Sequence, residues 1–314
     1  MVVTPRTFLA SVSSIINSGA KPVFADVDPD SQNITIDSVQ KVITPSTRAI
    51  LCVHLAGWMC EMDQFCDLAK SHNLYLIEDC AQSHGATLNG RHAGSFADIS
   101  AWSFCQDKIM TTGGEGGMVA MKTKEHWSDI WSYKDHGKSW EAVYERQHSP
   151  GFRWVHDSFG TNWRMLEMQG VIGRLQLSML PDWTATRQRY AKQIWDVAKE
   201  CPGLRVPVIP SNMEHAAYKC YVFLEPEQLN AGWNRARILN AIEQKGVPVF
   251  TGSCSEVYLE KAFDNTGLRP EKRLPVAKEL GETGLMFMVH PTLSDEQIDS
   301  CCSVLSDVMK AAAG

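Results

Sequence analysis

A lysine, a carboxylate and a hydroxyl stand where a single aldehyde cofactor could use all three. Lys108 closes the run Ser103-Phe104-Cys105-Gln106-Asp107-Lys108, and the glycine-rich stretch Thr111-Thr112-Gly113-Gly114-Glu115-Gly116-Gly117 follows it. Upstream lies Ile77-Glu78-Asp79-Cys80-Ala81-Gln82. A lysine amine can hold an aldehyde covalently, and a carboxylate can pair with a protonated pyridine nitrogen. A serine hydroxyl can donate to a phosphate. Together these functions describe pyridoxal phosphate.

Each residue also has a plainer reading. Asp79 follows the apolar run Leu74–Ile77 and could simply cap a helix. Gln82, about one turn further on, could reach the cofactor's ring oxygen or face solvent. His84 could be a stacking or substrate residue, or a hydrogen-bonded structural histidine. Most lysines face water, so Lys108 gains its weight from Ser103 five residues before it. Phe8, after Thr4-Pro5-Arg6-Thr7, could stack on a ring or fill the core of a first helix. Arg164 suits phosphate geometry, and His136-Gly137-Lys138-Ser139 offers a polar turn that could meet a substrate. His54, His215, Lys219 and His290 carry weaker signals. Thr111–Gly117 is not a nucleotide phosphate loop, and no G-x-G-x-x-G follows a strand, which disfavours a dinucleotide dehydrogenase.

The elements that must position these residues alternate between strand and helix patterns. Met1–Val3, Pro22–Val27, Ile50–His54, Leu74–Ile77, Ile99–Phe104 and Gly117–Met121 read as strands, with helices at Phe8–Asn17 and Met62–Ser71. That rhythm predicts an α/β sheet with function at the carboxyl ends of its strands, where Asp79 and Ser103 fall. Tyr144–Gly160 reads as a long ordered loop. Met165–Met179 has helical spacing, and Asp182–Glu200 continues it after Pro181. Beyond Leu204 the pattern predicts a smaller unit. It has strands at Tyr218–Leu224 and Val247–Val249, a helix at Asn234–Lys245, and a final helix opened by a Ser294/Gln297 capping box.

The 314 residues suffice for two domains, and a net charge of -6 without a basic stripe argues against nucleic acid. Apolar runs are too short for a membrane span. The start on Met1-Val2-Val3 shows no secretory leader, so a cytoplasmic location is expected. The ten cysteines match neither a disulfide framework nor a zinc cluster and read as free thiols; no metal is expected.

In this order the pieces resemble the DegT/DnrJ/EryC1/StrS family of sugar aminotransferases. The resemblance rests on Pro22–Asp28, Val53–Gly57, Ile77–Gly85, Ser103–Gly117, Asn162–Met165 and Val289–Pro291, and it covers nearly the whole chain. It implies an α/β, fold-type-I pyridoxal phosphate enzyme. A large domain with a mixed, mostly parallel sheet would span 1–200, and a small C-terminal α/β domain 201–314. By position, Lys108 resembles the lysine that holds the cofactor and moves the proton, and Asp79 its pyridinium partner. Gln82 resembles the residue beside the ring hydroxyl, Ser103 the phosphate ligand and Phe8 the stacking aromatic. Asn162 and Arg164 resemble the segment that reaches the neighbouring subunit's cofactor, implying a homodimer with shared sites. His84, His136, Lys138, Lys219 and His290 stand as substrate contacts, with Arg153 a further cation.

Within the family, Ser103–Gly117 and Lys134–Ser139 resemble the branch that aminates the 8-oxo form of Kdo with glutamate as donor. Its product is 8-amino-3,8-dideoxy-manno-octulosonate, for lipopolysaccharide. Cys105 and the Gly113-Gly114 pair depart from the common pattern in that direction. The alternatives are a nucleotide-linked 4-keto-hexose substrate, as in perosamine synthesis, or a non-catalytic paralogue. The family pattern also begins upstream of Met1. The expectation is therefore a chain truncated at its N-terminus, lacking a strand and a helix start that would cup the phosphate.

Overall fold

The computed structural model describes residues 1–314. Its first half builds a six-stranded sheet. The chain runs through β1 (Val2–Val3), α1 (Leu9–Asn17), β2 (Val23–Phe24), α2 (Ile36–Gln40), β3 (Ala49–Val53), α3 (Met62–Ser71) and β4 (Tyr75–Asp79). A short hairpin, β5 (Thr87–Leu88) and β6 (Arg91–His92), precedes β7 (Ile99–Ser103) and β8 (Gly117–Met121). Strand order is β2-β1-β3-β4-β7-β8. All neighbours are parallel except β7 and β8. Every residue of β3 is buried, as a central strand covered on both faces requires. In α3, Met62, Phe65, Leu68 and Ala69 form the buried stripe.

Two expectations shift here. Pro22–Val27 pairs as a strand only at Val23–Phe24, with an isolated bridge from Val27 to Ile34. The strand expected at Leu74–Ile77 lies at Tyr75–Asp79, so Asp79 is its last paired residue, opposite Val53 and Ala101.

After α4 (Lys124–Lys134) and α5 (Trp140–Tyr144), residues 145–166 form no regular strand or helix; the sequence suggested a loop over Tyr144–Gly160 and helical spacing from Met165. Isolated bridges Asp135–Asn162 and Lys138–His156 pin that loop. Then α6 (Glu167–Lys199) runs unbroken through Pro181, where the sequence suggested two segments. Its second half buries Tyr190, Ile194, Trp195 and Ala198, and its first half leaves Met168, Val171, Leu175 and Leu177 exposed.

The remaining chain supplies β9 (Leu204–Arg205), β10 (Met213–Glu214), β11 (Cys220–Leu224), α7 (Arg235–Gln244), β12 (Val249–Phe250), α8 (Pro275–Thr283), β13 (Gly284–Phe287) and α9 (Asp295–Ala313). β10 joins β5 and β6, while β12-β13-β11-β9 form an antiparallel sheet. Ser294 and Gln297 form the expected capping box on α9. The core under the large sheet extends without interruption to Tyr218, Tyr221, Phe223 and Met286, so the two sheets share it. No helix is long and apolar enough to cross a membrane.

Candidate active site

Five parallel strands aim their carboxyl ends to one side, and the candidate residues follow the ends of β4 and β7. The Asp79 carboxylate, at the end of β4, accepts the Ser11 hydroxyl at 2.7 Å and the Ala81 N–H at 3.1 Å. Ser11 in turn lies 2.9 Å from Thr7 Oγ1, so α1 fixes the carboxylate's direction. Ser103, at the end of β7, accepts the Cys105 N–H at 3.3 Å. Asp79 and Ser103 line one cavity of about 490 Å³ with Ser11, Ile77 and Ala101. That is the size of a cofactor-scale pocket.

Gln82 is buried, and its amide oxygen accepts the Ala56 N–H at 2.7 Å. This bond ties the segment after β4 to the turn after β3, where Ala56 holds φ +57. The Lys108 side chain is 13% exposed, with its Nζ 3.7 Å from Asp107 Oδ1 and 5.5 Å from the centroid of Tyr218. Tyr218 donates to the other Asp107 oxygen at 3.0 Å. Burial works against the Asp107 carboxylate, but the Lys108 charge and the Tyr218 hydroxyl outweigh it and hold its pKa below the ordinary value. Neither Asp107 nor Tyr218 was singled out by the sequence. Asp107 was legible only as Lys108's neighbour, and Tyr218 is brought in by β11 from more than a hundred residues away.

Other expected residues take different places. Phe8 caps α1 and is 70% exposed, outside the cavity lining, which takes Ala10, Ser11 and Ile15 from the helix instead. His84 packs against Trp102 and Phe104 and lines a second, apolar cavity of about 580 Å³. Its ring nitrogens have no partner, and burial, then the Lys108 charge, bring its pKa down to about 4. Asn162 Oδ1 accepts Arg164 Nε at 3.1 Å. Arg164, Lys138 and Lys134 all approach Asp135, at 3.5, 3.4 and 3.8 Å. Three cations thus share one carboxylate, leaving a local surplus of positive charge. His136, exposed at φ +62, turns the chain beside them. Arg153 spends its guanidinium on the Ala142 and Val143 carbonyls. Lys219 lies over the Tyr218 ring at 5.2 Å, and His290 is engaged with Thr292 at 2.7 Å.

His54, Glu78 and Cys80 form a compact buried group. His54 Nδ1 accepts the Cys60 N–H, so its Nε2–H donates to Glu78. The Glu78 oxygens also accept N–H groups of Gly94, Phe96 and Ala97. Both lone-pair-bearing partners of Cys80 are already committed, which makes this a structural hydrogen-bond centre. All ten cysteines are free thiols.

The donor set suits pyridoxal phosphate. A largely buried amine, a carboxylate held by two donors, a buried amide and a strand-end hydroxyl follow the neighbouring strands β4 and β7 at the carboxyl end of the sheet. Lys108, Asp79, Gln82 and Ser103 are the residues that could hold it.

Comparison with known proteins bears on the same chemistry. The family model described as the DegT/DnrJ/EryC1/StrS aminotransferase family matches residues 1–306. An X-ray structure of an aminotransferase from Psychrobacter cryohalolentis superposes with a TM-score of 0.96 at 56% identity, covering 100% of this chain and 82% of that one. GDP-perosamine synthase of Escherichia coli O157:H7 is 31% identical over 98% of this chain and 78% of its own. A UDP-N-acetyl-3-dehydro-alpha-D-glucosamine 3-aminotransferase of Acidithiobacillus ferrooxidans is 33% identical over 97% of this chain and 76% of its own. The architecture is that of fold-type-I enzymes, a mixed sheet with a smaller C-terminal domain. This chain belongs to the DegT/DnrJ/EryC1/StrS aminotransferase family and is a transaminase that uses pyridoxal phosphate.

Proposed function

We infer that the enzyme moves an amino group from glutamate to the carbonyl carbon of a nucleotide-linked keto-sugar. The observation that carries this reading is a carboxylate and a serine lining one cavity at the strand ends, with Lys108 on the turn after β7, in a chain whose relatives include GDP-perosamine synthase. When bound, pyridoxal phosphate supplies an electron sink for the carbanion at the donor's α-carbon. Lys108 carries the cofactor and, once released, moves the proton at that carbon. Asp79 keeps the pyridine nitrogen protonated, with Ser11 and the Ala81 N–H holding its carboxylate in place. Ser103 would anchor the phosphate, and Gln82 would stand near the ring hydroxyl. The cationic surplus of Lys134, Lys138 and Arg164 favours an anionic sugar substrate.

The working unit in this reading is a cytoplasmic homodimer with shared sites. The exposed apolar side chains on the first half of α6 would meet a second copy there, and Asn162 would reach across to its cofactor. The division between large and small domains falls near residue 200, at the end of α6. Phe8 would then serve the interface rather than stack on its own chain's cofactor.

A second reading keeps the chemistry and changes the sugar to 8-oxo-Kdo. It is favoured by Cys105, by the Gly113-Gly114 pair and by the same cations, which suit a sugar carboxylate.

The test begins with the absorption of the protein loaded with pyridoxal phosphate, titrated with glutamate. A keto-sugar panel then follows. Turnover of a nucleotide-linked keto-hexose supports the first reading, and turnover of 8-oxo-Kdo alone replaces it with the second. No spectral response to glutamate removes glutamate as the donor in both.

A further inference from the structure

The backbone beside the small sheet contains an outlier with a visible purpose. Ala217 holds φ +47, a region that favours glycine. Such a conformation persists only where its surroundings over-determine it. Here three hydrogen bonds do so. The Ala217 N–H donates to His215 Nδ1 at 2.8 Å, the Ala216 N–H to the Gly57 carbonyl at 3.0 Å, and the Tyr218 N–H to the Ala56 carbonyl at 2.9 Å.

The packing is equally specific. His215 is buried edge-on to Trp58 and Trp195, with ring centroids 5.8 Å away in each case. A Cβ on Gly57 would stand 2.8 Å from the Ala216 Cβ, so the glycine permits the close approach. What this arrangement delivers is Tyr218. Its ring stands beside the Lys108 amine, and its hydroxyl holds the Asp107 oxygen that does not face that amine.

We propose that Tyr218 and Asp107 are positioning residues for Lys108. The strained Ala217 turn seats Tyr218, Tyr218 orients the Asp107 carboxylate, and Asp107 fixes where the lysine amine stands. The inference rests on Lys108 being the residue that holds the cofactor. It adds that the small domain, through β11, controls the placement of that lysine.

The test uses Asp107→Asn, Tyr218→Phe and the double variant. Both changes nearly preserve shape, and Asp107 is exposed enough to tolerate its own. Pyridoxal phosphate is added to cofactor-free protein, and borohydride then fixes whatever is covalently attached. Peptide mass spectrometry measures the rate at Lys108, equilibrium dialysis measures total cofactor bound, and thermal melting is followed in parallel. Each single variant is expected to slow attachment at Lys108 by about tenfold, the scale of a small misplacement. Total binding should change less than about twofold, and the double variant should be no slower than the worse single, because the two act in series.

Unchanged attachment rates would overturn the inference. So would rates that multiply in the double variant, since Tyr218 would then not act through Asp107. Attachment, binding and melting temperature falling together would mean a merely structural role and would also overturn it. If borohydride fixes the cofactor at another lysine, the Lys108 assignment itself has failed. If it is fixed at Lys108 at wild-type rates, only this inference has.

Discussion

In the proposed mechanism, replacing Lys108 by alanine takes away both the attachment point and the group that moves the proton. Glutamate-dependent turnover is expected to fall by about a thousandfold or more, because proton transfer by a positioned group alone contributes 10² to 10⁴. A stopped-flow trace of the glutamate half-reaction checks this, and near-normal turnover in Lys108→Ala would sink the assignment. Ser103→Ala makes a contrasting prediction. One hydrogen bond to a charged phosphate is worth roughly 1.5–3 kcal/mol, so cofactor affinity should drop by about ten- to a hundredfold. Turnover at saturating cofactor should change far less. Titrating cofactor against activity separates the two effects. At this scale the sequence suggests most where chemistry is local: Lys108, Asp79 and Ser103 sit in runs whose order points to the use proposed for them. Tyr218 was not legible, since nothing in Ala217-Tyr218-Lys219 indicates that a turn at Ala217 brings the ring to Lys108.

The elements show why some patterns could be read and others not. β3 is apolar throughout and was found; so was α3, with its stripe from Met62 to Ala69. The hairpin β5–β6 was missed although Asn89-Gly90, at φ +52 and +73, is a strong hairpin turn, because its two-residue strands are too short to show alternation. Pro181 suggested a break in α6, but a proline lacks only one N–H, and the helix is held beyond it by burial of Tyr190, Ile194 and Trp195. The first half of α6 gives a prediction of its own. Leu175 is exposed among other apolar side chains, and Leu175→Asp should shift a dimer toward monomer in sedimentation equilibrium while leaving the melting temperature nearly unchanged. A protein already monomeric before the change would contradict the assembly. In the loop region, Gly137 at φ +82 has the Ser158 carbonyl where a Cβ would go. Gly137→Ala is expected to cost about 1–3 kcal/mol of backbone strain and to open residues 145–160 to protease.

Across the whole molecule, two of the three buried histidines weaken the fold in acid. The third, His54, has its pKa raised against its burial by Cys60, Cys80 and Glu78, and adds stability that is fully present below pH 6.5 and lost only as pH rises. Burial holds His215 down to about 3, and burial, with the Lys108 charge, holds His84 down to about 4, against an ordinary 6.5. His215 and His84 are neutral when folded, while the unfolded chain protonates them below pH 6.5. The unfolded state therefore binds more protons, and stability falls as pH drops from 6.5 toward 4 for His84 and toward 3 for His215. Each costs about 1.4 kcal/mol per pH unit, or about 2 kcal/mol at pH 5. The urea midpoint should be clearly lower at pH 5 than at pH 7, before the carboxylates begin to titrate. Equal midpoints would mean that these rings take up protons in the folded state near their ordinary pKa.

The continuous helix α6 has a mechanical consequence. Its 33 residues make a rod roughly 50 Å long at 1.5 Å per residue, clamped at its carboxyl half against the small sheet. A tilt of about 5° at that clamp would sweep its first turn, roughly 25–35 Å away, through about 2–3 Å. Gln169 and Gln176 reach from that moving half to the Glu115 carbonyl and the Thr111 N–H, on the segment just after Lys108. The rod is a lever whose short-range grip lies on the lysine loop, so small angular play in the C-terminal body would be felt there as displacement and not as strain.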